Sequence, residues 1–187
     1  MEITATALPG LFIIKPEVFS DQRGYFYESF NEKKLSQGGL KFRFVQDNQS
    51  KSVYGVIRGL HYQLEPYAQT KLVRVLSGKI RDIAVDIRKN SPTFGKSFSL
   101  DLSCENKLQL LVPKGFAHGF SVLSETAVVL YKTDDYYRPS AERGIFYNDE
   151  TLAIDWGLKP GKEIVAERDK AFPLLKNAEM NYTFPKI

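Results

Sequence analysis

The two histidines of the chain, His61 and His118, are the side chains best suited to proton transfer near neutral pH. Each lies in a glycine-punctuated motif that also carries a cation, GVIRGLHYQ at 55–63 and VPKGFAHGF at 112–120. Histidines in such motifs are more often satisfied groups in a core or a turn than parts of a site. Taken alone, the motifs therefore favour a structural role, and a catalytic interpretation depends on the rest of the chain.

Further polar groups lie close to His61 in the sequence. Arg58 precedes it, Gln63 follows it, and Lys71 opens the next predicted strand. Alternation along an extended strand puts His61 and Gln63 on one face, and puts Arg58 on the other unless Gly59 bends the strand. A bulge at this glycine would bring the guanidinium and the imidazole to the same side.

Tyr131 is the candidate for a general acid. In the predicted strand at 126–134 it shares a face with Ala127 and Val129, so it lies among apolar residues. A buried tyrosine hydroxyl needs a polar partner and can act as an acid, although packing is the commoner role of a single tyrosine. With the lysine and aspartate residues, the chain offers a His/Lys/Tyr/Asp set that suits proton abstraction beside a carbonyl group.

The sequence does not contain the motifs of several other kinds of catalysis. The chain has no G-x-S-x-G elbow and no glycine-rich phosphate loop, and Cys104 follows a predicted strand without a nearby histidine. Metal sites of small β-barrels draw on two or three histidines and a carboxylate, often with an H-x-H pair. This chain has neither the pair nor a third histidine, so we expect no metal.

The composition is that of a globular protein rich in aromatic residues, with thirteen Phe and ten Tyr, which favours β-structure. The formal net charge is +4, but the Lys and Arg residues are dispersed, so we expect no nucleic-acid partner. A few of these cations could still converge on a small anion such as a diphosphate. No apolar run is long enough for a membrane span, and the N-terminus does not have the pattern of a signal peptide. The single cysteine, Cys104, is compatible with a reducing cytoplasm.

The residues that could do chemistry are carried by short alternating segments, which predict an all-β sandwich or barrel in one domain spanning 1–187. Residues 31–37, followed by two glycines, predict a short helix. The predicted strands are 42–48, 56–63, 71–76, 80–87, 97–103, 108–112, 119–123 and 126–134.

Two of these strands have a face of mixed polarity. In the strand at 79–88, Asp82 and Asp86 alternate with small apolar residues, which fits a partly polar interior and a solvated outer face equally well. In the strand at 42–48, Gln46 and Asn48 continue a face that begins with aromatic residues. That gradient suits the mouth of a barrel that binds a ligand, or an edge strand that reaches solvent.

Over about residues 3 to 175 the chain resembles the dTDP-4-dehydrorhamnose 3,5-epimerase family. The segments that carry the resemblance are DQRGYFYESF (21–30), FVQDNQSKS (44–52), GVIRGLHYQ (55–63), KLVRVLSGKIRDIAVDIRKNSPTFG (71–95), LSCENKLQLLVPKGFAHGF (102–120) and YKTDDYY (131–137). The resemblance implies a cupin-like double-stranded β-helix, or jelly-roll barrel, with a few short helices. It also implies a cytoplasmic homodimer in which an N-terminal strand of one subunit completes the site of the other.

The same resemblance implies an isomerase that converts dTDP-4-dehydro-6-deoxy-D-glucose into dTDP-4-dehydro-L-rhamnose without cofactor or metal, in dTDP-L-rhamnose biosynthesis. His61 matches the catalytic base, Asp169 the carboxylate paired with it, and Tyr131 the acid on the opposite face of the sugar. Lys71 matches the cation beside the 4-keto oxygen. The positions that match substrate contacts are Arg58, Gln46, Asn48 and His118 for the sugar and diphosphate, Tyr137 for the thymine, and Arg23, Phe26 and Glu28 for the nucleotide from the neighbouring subunit.

The chain departs from the family pattern before Asp169, where members commonly read close to L-S-x-K-D and this chain reads VAERD at 165–169. Three alternatives to the double epimerase remain open. One is an epimerase acting at C3 or C5 only, or on another nucleotide 4-keto-6-deoxysugar. Another is a non-catalytic cupin that binds nucleotide sugars, and the third, disfavoured by the histidine count, is a metal-dependent cupin oxygenase.

Overall fold

Turn residues separate fourteen strands in the computed structural model, which describes residues 1–185. The strands are β1 (Glu2–Ala5), β2 (Phe12–Lys15), β3 (Val18–Asp21), β4 (Gly24–Tyr27), β5 (Gln46–Val53), β6 (Val56–Gln63), β7 (Lys71–Ser77), β8 (Lys79–Asp86), β9 (Ser97–Ser103), β10 (Gln109–Val112), β11 (Phe116–Val122), β12 (Thr126–Thr133), β13 (Glu142–Gly144) and β14 (Ile164–Val165). The helices are α1 (Glu32–Gln37) and α2 (Glu167–Lys170), with 3-10 turns at Pro139–Ala141 and Leu175–Asn177. Within this described part of the chain, no helix is long and apolar enough to cross a membrane.

The strands form two large sheets and one separate hairpin. The first sheet has the order β1-β2-β10-β7-β12-β5, and the second has the order β13-β6-β11-β8-β9 with β14 beside β6. Neighbours are antiparallel except for β14, which runs parallel to β6. The hairpin of β3 and β4 pairs with neither sheet. This architecture confirms the predicted all-β, cupin-like fold.

Side chains from both sheets meet in one apolar core. Val73 and Val75 of β7 point inward from the first sheet, and Ile80 and Phe120 point inward from the second. These side chains are nearly fully buried because alternate residues of a strand face the same side. Tyr131 packs against the same cluster, which places its ring between the sheets as its strand pattern predicts.

The short predicted helix is confirmed as α1. Asn31 caps it by accepting a hydrogen bond from the Lys34 amide at 3.0 Å, and Gly38 ends it. The predicted strand at 42–48 is wrong in its first half, since β5 begins only at Gln46. The aromatic side chains that precede β5 instead pack around α1 and β2 in a second cluster, which holds that segment out of the sheet.

Candidate active site

A cleft between the two sheets contains most of the polar residues singled out in the sequence. It consists of two cavities of about 340 Å³ and 490 Å³. The residues that line both cavities are His61, Lys71, Tyr131, Glu142 and Arg168. Because the two cavities share these walls, they form one continuous site.

A β-bulge in β6 brings two of these groups together. His61 pairs with His118 and Arg58 pairs with Phe120, so β6 has one more residue than β11 between the two pairs. Gly59 lies in the bulge at φ +139°, and a Cβ there would come within 2.5 Å of the neighbouring strand's Cα. The predicted bend at this glycine is confirmed, and Arg58 lines the same cavity as His61.

His61 and Asp169 form a hydrogen-bonded pair. The His61 Nε2 lies 2.9 Å from the Asp169 Oδ1, and the Gly59 amide donates to the other carboxylate oxygen at 3.2 Å. Asp169 is the buried residue of α2, only 3 % exposed. Burial alone would raise the pKa of this carboxyl, but the hydrogen bonds from His61 and Gly59 and the charge of Arg168 lower it. An ionised Asp169 accepts the Nε2 proton, so the lone pair of the neutral ring lies on Nδ1.

Tyr131 and Lys71 reach the cleft from the opposite wall. Both belong to the first sheet, in β12 and β7, whereas His61 belongs to the second sheet. Burial lowers the pKa of the Lys71 ammonium to about 8, although the charges of Asp82 and Glu142 oppose the shift. Burial raises the pKa of the Tyr131 hydroxyl, so this group keeps its proton at neutral pH. The cleft therefore has the His61 imidazole on one wall and a protonated hydroxyl on the other.

Amide side chains line the outer end of the cleft. The Gln46 Nε2 donates to the Asn48 Oδ1 at 2.9 Å, and the Gln46 Oε1 accepts from the Tyr137 amide at 3.2 Å. Gln63 accepts from the Arg138 amide at 2.6 Å. These bonds hold Tyr137 at the edge of the same cavity. Neutral donors and acceptors of this kind suit the hydroxyl groups and phosphate oxygens of a ligand.

Asp82 and Asp86 are both fully buried, which settles the question that the sequence leaves open. Asp82 pairs with the His118 Nε2, and His118 lines the inner cavity. Asp86 accepts hydrogen bonds from Arg88, Ser91 and other groups nearby and has no part in the cleft. The polar face of β8 is therefore an interior face, and only one of its two carboxylates adjoins the site.

Glu142 and Arg168 also line both cavities, although neither residue is among those predicted from the sequence. The Arg168 Nη1 donates to the Glu142 Oε2 at 2.9 Å, and the Arg168 Nε lies 3.5 Å from the Asp169 Oδ1. The position of Arg168 next to Asp169 is a signal that could have identified it. No sequence pattern around Glu142 predicts its place in the site, because β13 reaches the site only by pairing with β6, which is distant in the sequence.

Three predicted residues lie outside this cleft. Arg23 and Phe26 belong to the separate hairpin, where Arg23 pairs with Asp21 at 2.6 Å and Phe26 is 71 % exposed. Glu28 follows the hairpin and pairs with Lys34 at 2.9 Å. The structure does not bring these residues together with the nine that line the cleft. Their action on a neighbouring subunit stays a prediction.

Comparison with known proteins decides the family. The family model described as dTDP-4-dehydrorhamnose 3,5-epimerase matches residues 5–177. The chain belongs to the dTDP-4-dehydrorhamnose 3,5-epimerase family. A curated epimerase of this name from Shigella flexneri is 55 % identical over 157 residues, which cover 83 % of this chain and 87 % of that protein.

Solved structures of epimerases agree with this assignment. The crystal structure of the enzyme from Elizabethkingia anophelis has a TM-score of 0.91 and 52 % identity, and the match covers 95 % of this chain and 97 % of the other. A Legionella pneumophila enzyme in complex with dTDP-4-keto-L-rhamnose has a TM-score of 0.90 and 50 % identity, with 94 % and 93 % covered. The family resemblance and the epimerase activity in the dTDP-rhamnose pathway are thus confirmed.

Proposed function

We propose that this epimerase inverts C3 and C5 of dTDP-4-dehydro-6-deoxy-D-glucose with His61 as the base and Tyr131 as the acid. The observation that carries the proposal is their position on opposite walls of one cleft. Inversion requires that a proton leave one face of the sugar and return to the other. A single group on one wall would return the proton to the same face, so two separate groups fit the reaction.

The base step follows from the acidity of the substrate. The 4-keto group acidifies the C–H bonds at C3 and C5, so a neutral imidazole can remove either proton and form an enolate. Asp169, held by its two hydrogen bonds, orients the His61 ring and stabilises the imidazolium that forms. The enolate oxygen then needs a fixed positive donor, which Lys71 and the neighbouring Arg58 supply.

The acid step uses the Tyr131 hydroxyl. Burial keeps this group protonated, and it delivers its proton to the enolate carbon from the face opposite His61. The remaining residues of the cleft bind and orient the substrate. In our proposal, Gln46, Asn48, Arg58 and His118 contact the sugar and diphosphate, and Tyr137 contacts the thymine.

The deciding experiment is proton NMR of the purified protein with dTDP-4-dehydro-6-deoxyglucose in deuterated water. We expect deuterium at both C3 and C5 and a product of L-rhamno configuration. Label at one carbon only would support a mono-epimerase. Binding of the nucleotide sugar without label or product would support a non-catalytic cupin.

The charge of Lys71 predicts an alkaline limit to activity. Its pKa is about 8, so the ammonium is present below that pH and is lost as the pH rises through it. We expect kcat/KM to fall above about pH 8 because the neutral amine no longer stabilises the enolate. In Lys71→Met, kcat/KM should be about 100-fold lower and this alkaline limb should disappear. An unchanged limb in the variant would assign it to another group.

The homodimer with an exchanged strand is also part of the proposal. The hairpin of β3 and β4 pairs with neither sheet and exposes large aromatic side chains, Phe19, Tyr25 and Phe26. Exposed apolar groups of this kind are typical of an interface. A second copy of the chain would cover them and would bring Arg23 and Phe26 to a neighbouring cleft.

Mixed dimers test the shared site. We expect Arg23→Ala/Phe26→Ala to raise KM about tenfold, because the nucleotide loses its contacts from the hairpin. When this variant is refolded together with His61→Asn, hybrid dimers should regain wild-type KM in one of their two clefts. If the hairpin acted on its own chain, or if light scattering showed a monomer, mixing would restore nothing.

The remaining proposals concern the domain organisation, cellular location and partners of the enzyme. We propose one catalytic domain over residues 1–187, acting in the cytoplasm on a nucleotide sugar and on no nucleic acid. The family match covers every strand from β2 to β14, and Cys104 is a free thiol, which is compatible with a reducing compartment.

A further inference from the structure

A chain of hydrogen bonds connects the outer end of the cleft to the His61–Asp169 pair. The Tyr137 hydroxyl donates to the Glu142 Oε2 at 2.7 Å, and the same oxygen accepts from the Arg168 Nη1 at 2.9 Å. The Arg168 guanidinium then reaches the Asp169 Oδ1 at 3.5 Å, the oxygen that also contacts His61. Three separate segments, the one after β12, strand β13 and helix α2, meet in this chain of contacts.

The charges alternate along these contacts. Arg168 is a cation between two carboxylates, and its side chain is 57 % exposed, whereas those of Glu142 and Asp169 are 20 % and 4 % exposed. Burial would lower the pKa of the guanidinium, but the charges of Glu142 and Asp169 outweigh burial and raise it. The hydrogen bond to Glu142 likewise raises the pKa of the Tyr137 hydroxyl.

We propose that Glu142 and Arg168 are positioning residues, which set the charge at the His61–Asp169 pair while Glu142 also holds the Tyr137 ring. The proposal rests on the assignment of His61 as the base. The positive charge of Arg168 opposes the addition of a proton to the neighbouring pair, and the negative charge of Glu142 partly cancels that effect. One carboxylate thus serves both the binding of the nucleotide and the removal of the proton.

The basicity of the pair depends on every charged group around it, and the charge of Arg168 is one of several. The other titratable groups that line the same cleft are Arg58 and Tyr62 from β6, Lys71 from β7, His118 with Asp82 behind it from β11 and β8, Tyr131 from β12, and Tyr137. Those side chains are retained when Arg168 or Glu142 is replaced, and the loss of the Glu142 charge that also acts on Lys71 affects the alkaline limb, not the acid limb. A difference between such variants therefore reports on the replaced charge.

The test is the acid limb of the kcat/KM profile, where His61 becomes protonated and inactive. Arg168→Gln removes a cation, so the limb should move to higher pH by about half a unit. Glu142→Gln removes the anion that partly compensates this charge, so the limb should move to lower pH by a smaller amount. Arg168→Lys retains the charge and should keep the wild-type limb.

Helix α2 offers matched controls. Lys170 pairs with Glu167 at 2.7 Å on the exposed side of the helix, and neither residue lines the cleft. Lys170→Gln and Glu167→Gln change the net charge in the same way as the two test variants, and we expect both to keep the wild-type profile. A merely structural role would not move the limb in opposite directions.

The contact with Tyr137 has its own readout. Tyr137→Phe loses the donor to Glu142 and should raise KM about threefold without moving the acid limb. Glu142→Gln retains an acceptor for that hydroxyl, so it should move the limb with a smaller rise in KM. This split between KM and the pH profile separates the two roles of Glu142.

Shifts in the same direction, or shifts no larger than those of the controls, would overturn the proposal. If Arg168→Gln does not fold, a comparison of Glu142→Gln with its control Glu167→Gln still tests the direction in which the acid limb moves. His61→Asn separates this result from a failure of the proposed function. If solvent exchange survives in His61→Asn, His61 is not the base and the proposed function fails. If exchange is lost in His61→Asn but the acid limbs of Arg168→Gln and Glu142→Gln do not move in opposite directions, only the positioning role is rejected.

Discussion

His61→Asn is expected to lower turnover by about 10³-fold or more and to abolish deuterium exchange at both C3 and C5. Asparagine retains a polar group of similar size, but its amide nitrogen is not a base. Without a base no enolate forms, so neither carbon exchanges its proton with solvent. The measurement is the NMR assay in deuterated water, with turnover followed under the same conditions.

His118→Asn is the natural comparison for this variant. His118 pairs directly with His61 in the sheet and lines the same cavity, yet its imidazole is held by the buried Asp82. We expect a higher KM with exchange retained at both carbons, because in our proposal this histidine contacts the substrate and removes no proton. Exchange lost in His118→Asn and kept in His61→Asn would reverse the assignment of the base.

Tyr131→Phe is expected to lower product formation by about 10²-fold or more while solvent exchange continues. The ring stays packed between the sheets, and only the hydroxyl is lost. His61 still removes a proton and returns deuterium to the same face, so the substrate becomes labelled without inversion. The same NMR assay shows label in unconverted substrate and little L-rhamno product, with the strongest block expected at C5.

Tyr182→Phe controls for the loss of a buried phenol. Tyr182 is buried, burial raises the pKa of its hydroxyl, and it lies outside the cleft. We expect wild-type turnover from this variant. Unchanged turnover in Tyr131→Phe would remove Tyr131 from the acid role and would require another donor on that wall.

The local pattern of the chain predicts most of the secondary structure. Helix α1 and strands β6 to β12 begin and end close to the predicted positions, because alternation and turn residues act over a few neighbours, whereas the short strands β13 and β14 were not predicted. The error at residues 42–45 has a different origin. Aromatic residues there alternate as in a strand, but their best packing partners lie in another cluster, and burial overrides the local preference.

Residue types in the order of the chain were enough to indicate the family and the β-rich fold, and the family resemblance then pointed to His61, Lys71, Tyr131 and Asp169 as the proton-transfer set. Local geometry alone could also indicate the bend at Gly59. Only the folded chain shows that His61 and Tyr131 face each other from different sheets, since no spacing in the sequence encodes which faces oppose. For the same reason, only the tertiary structure places Glu142 in the cleft. Its place beside Arg168 depends on the pairing of β13 with β6, a contact between segments far apart in the chain.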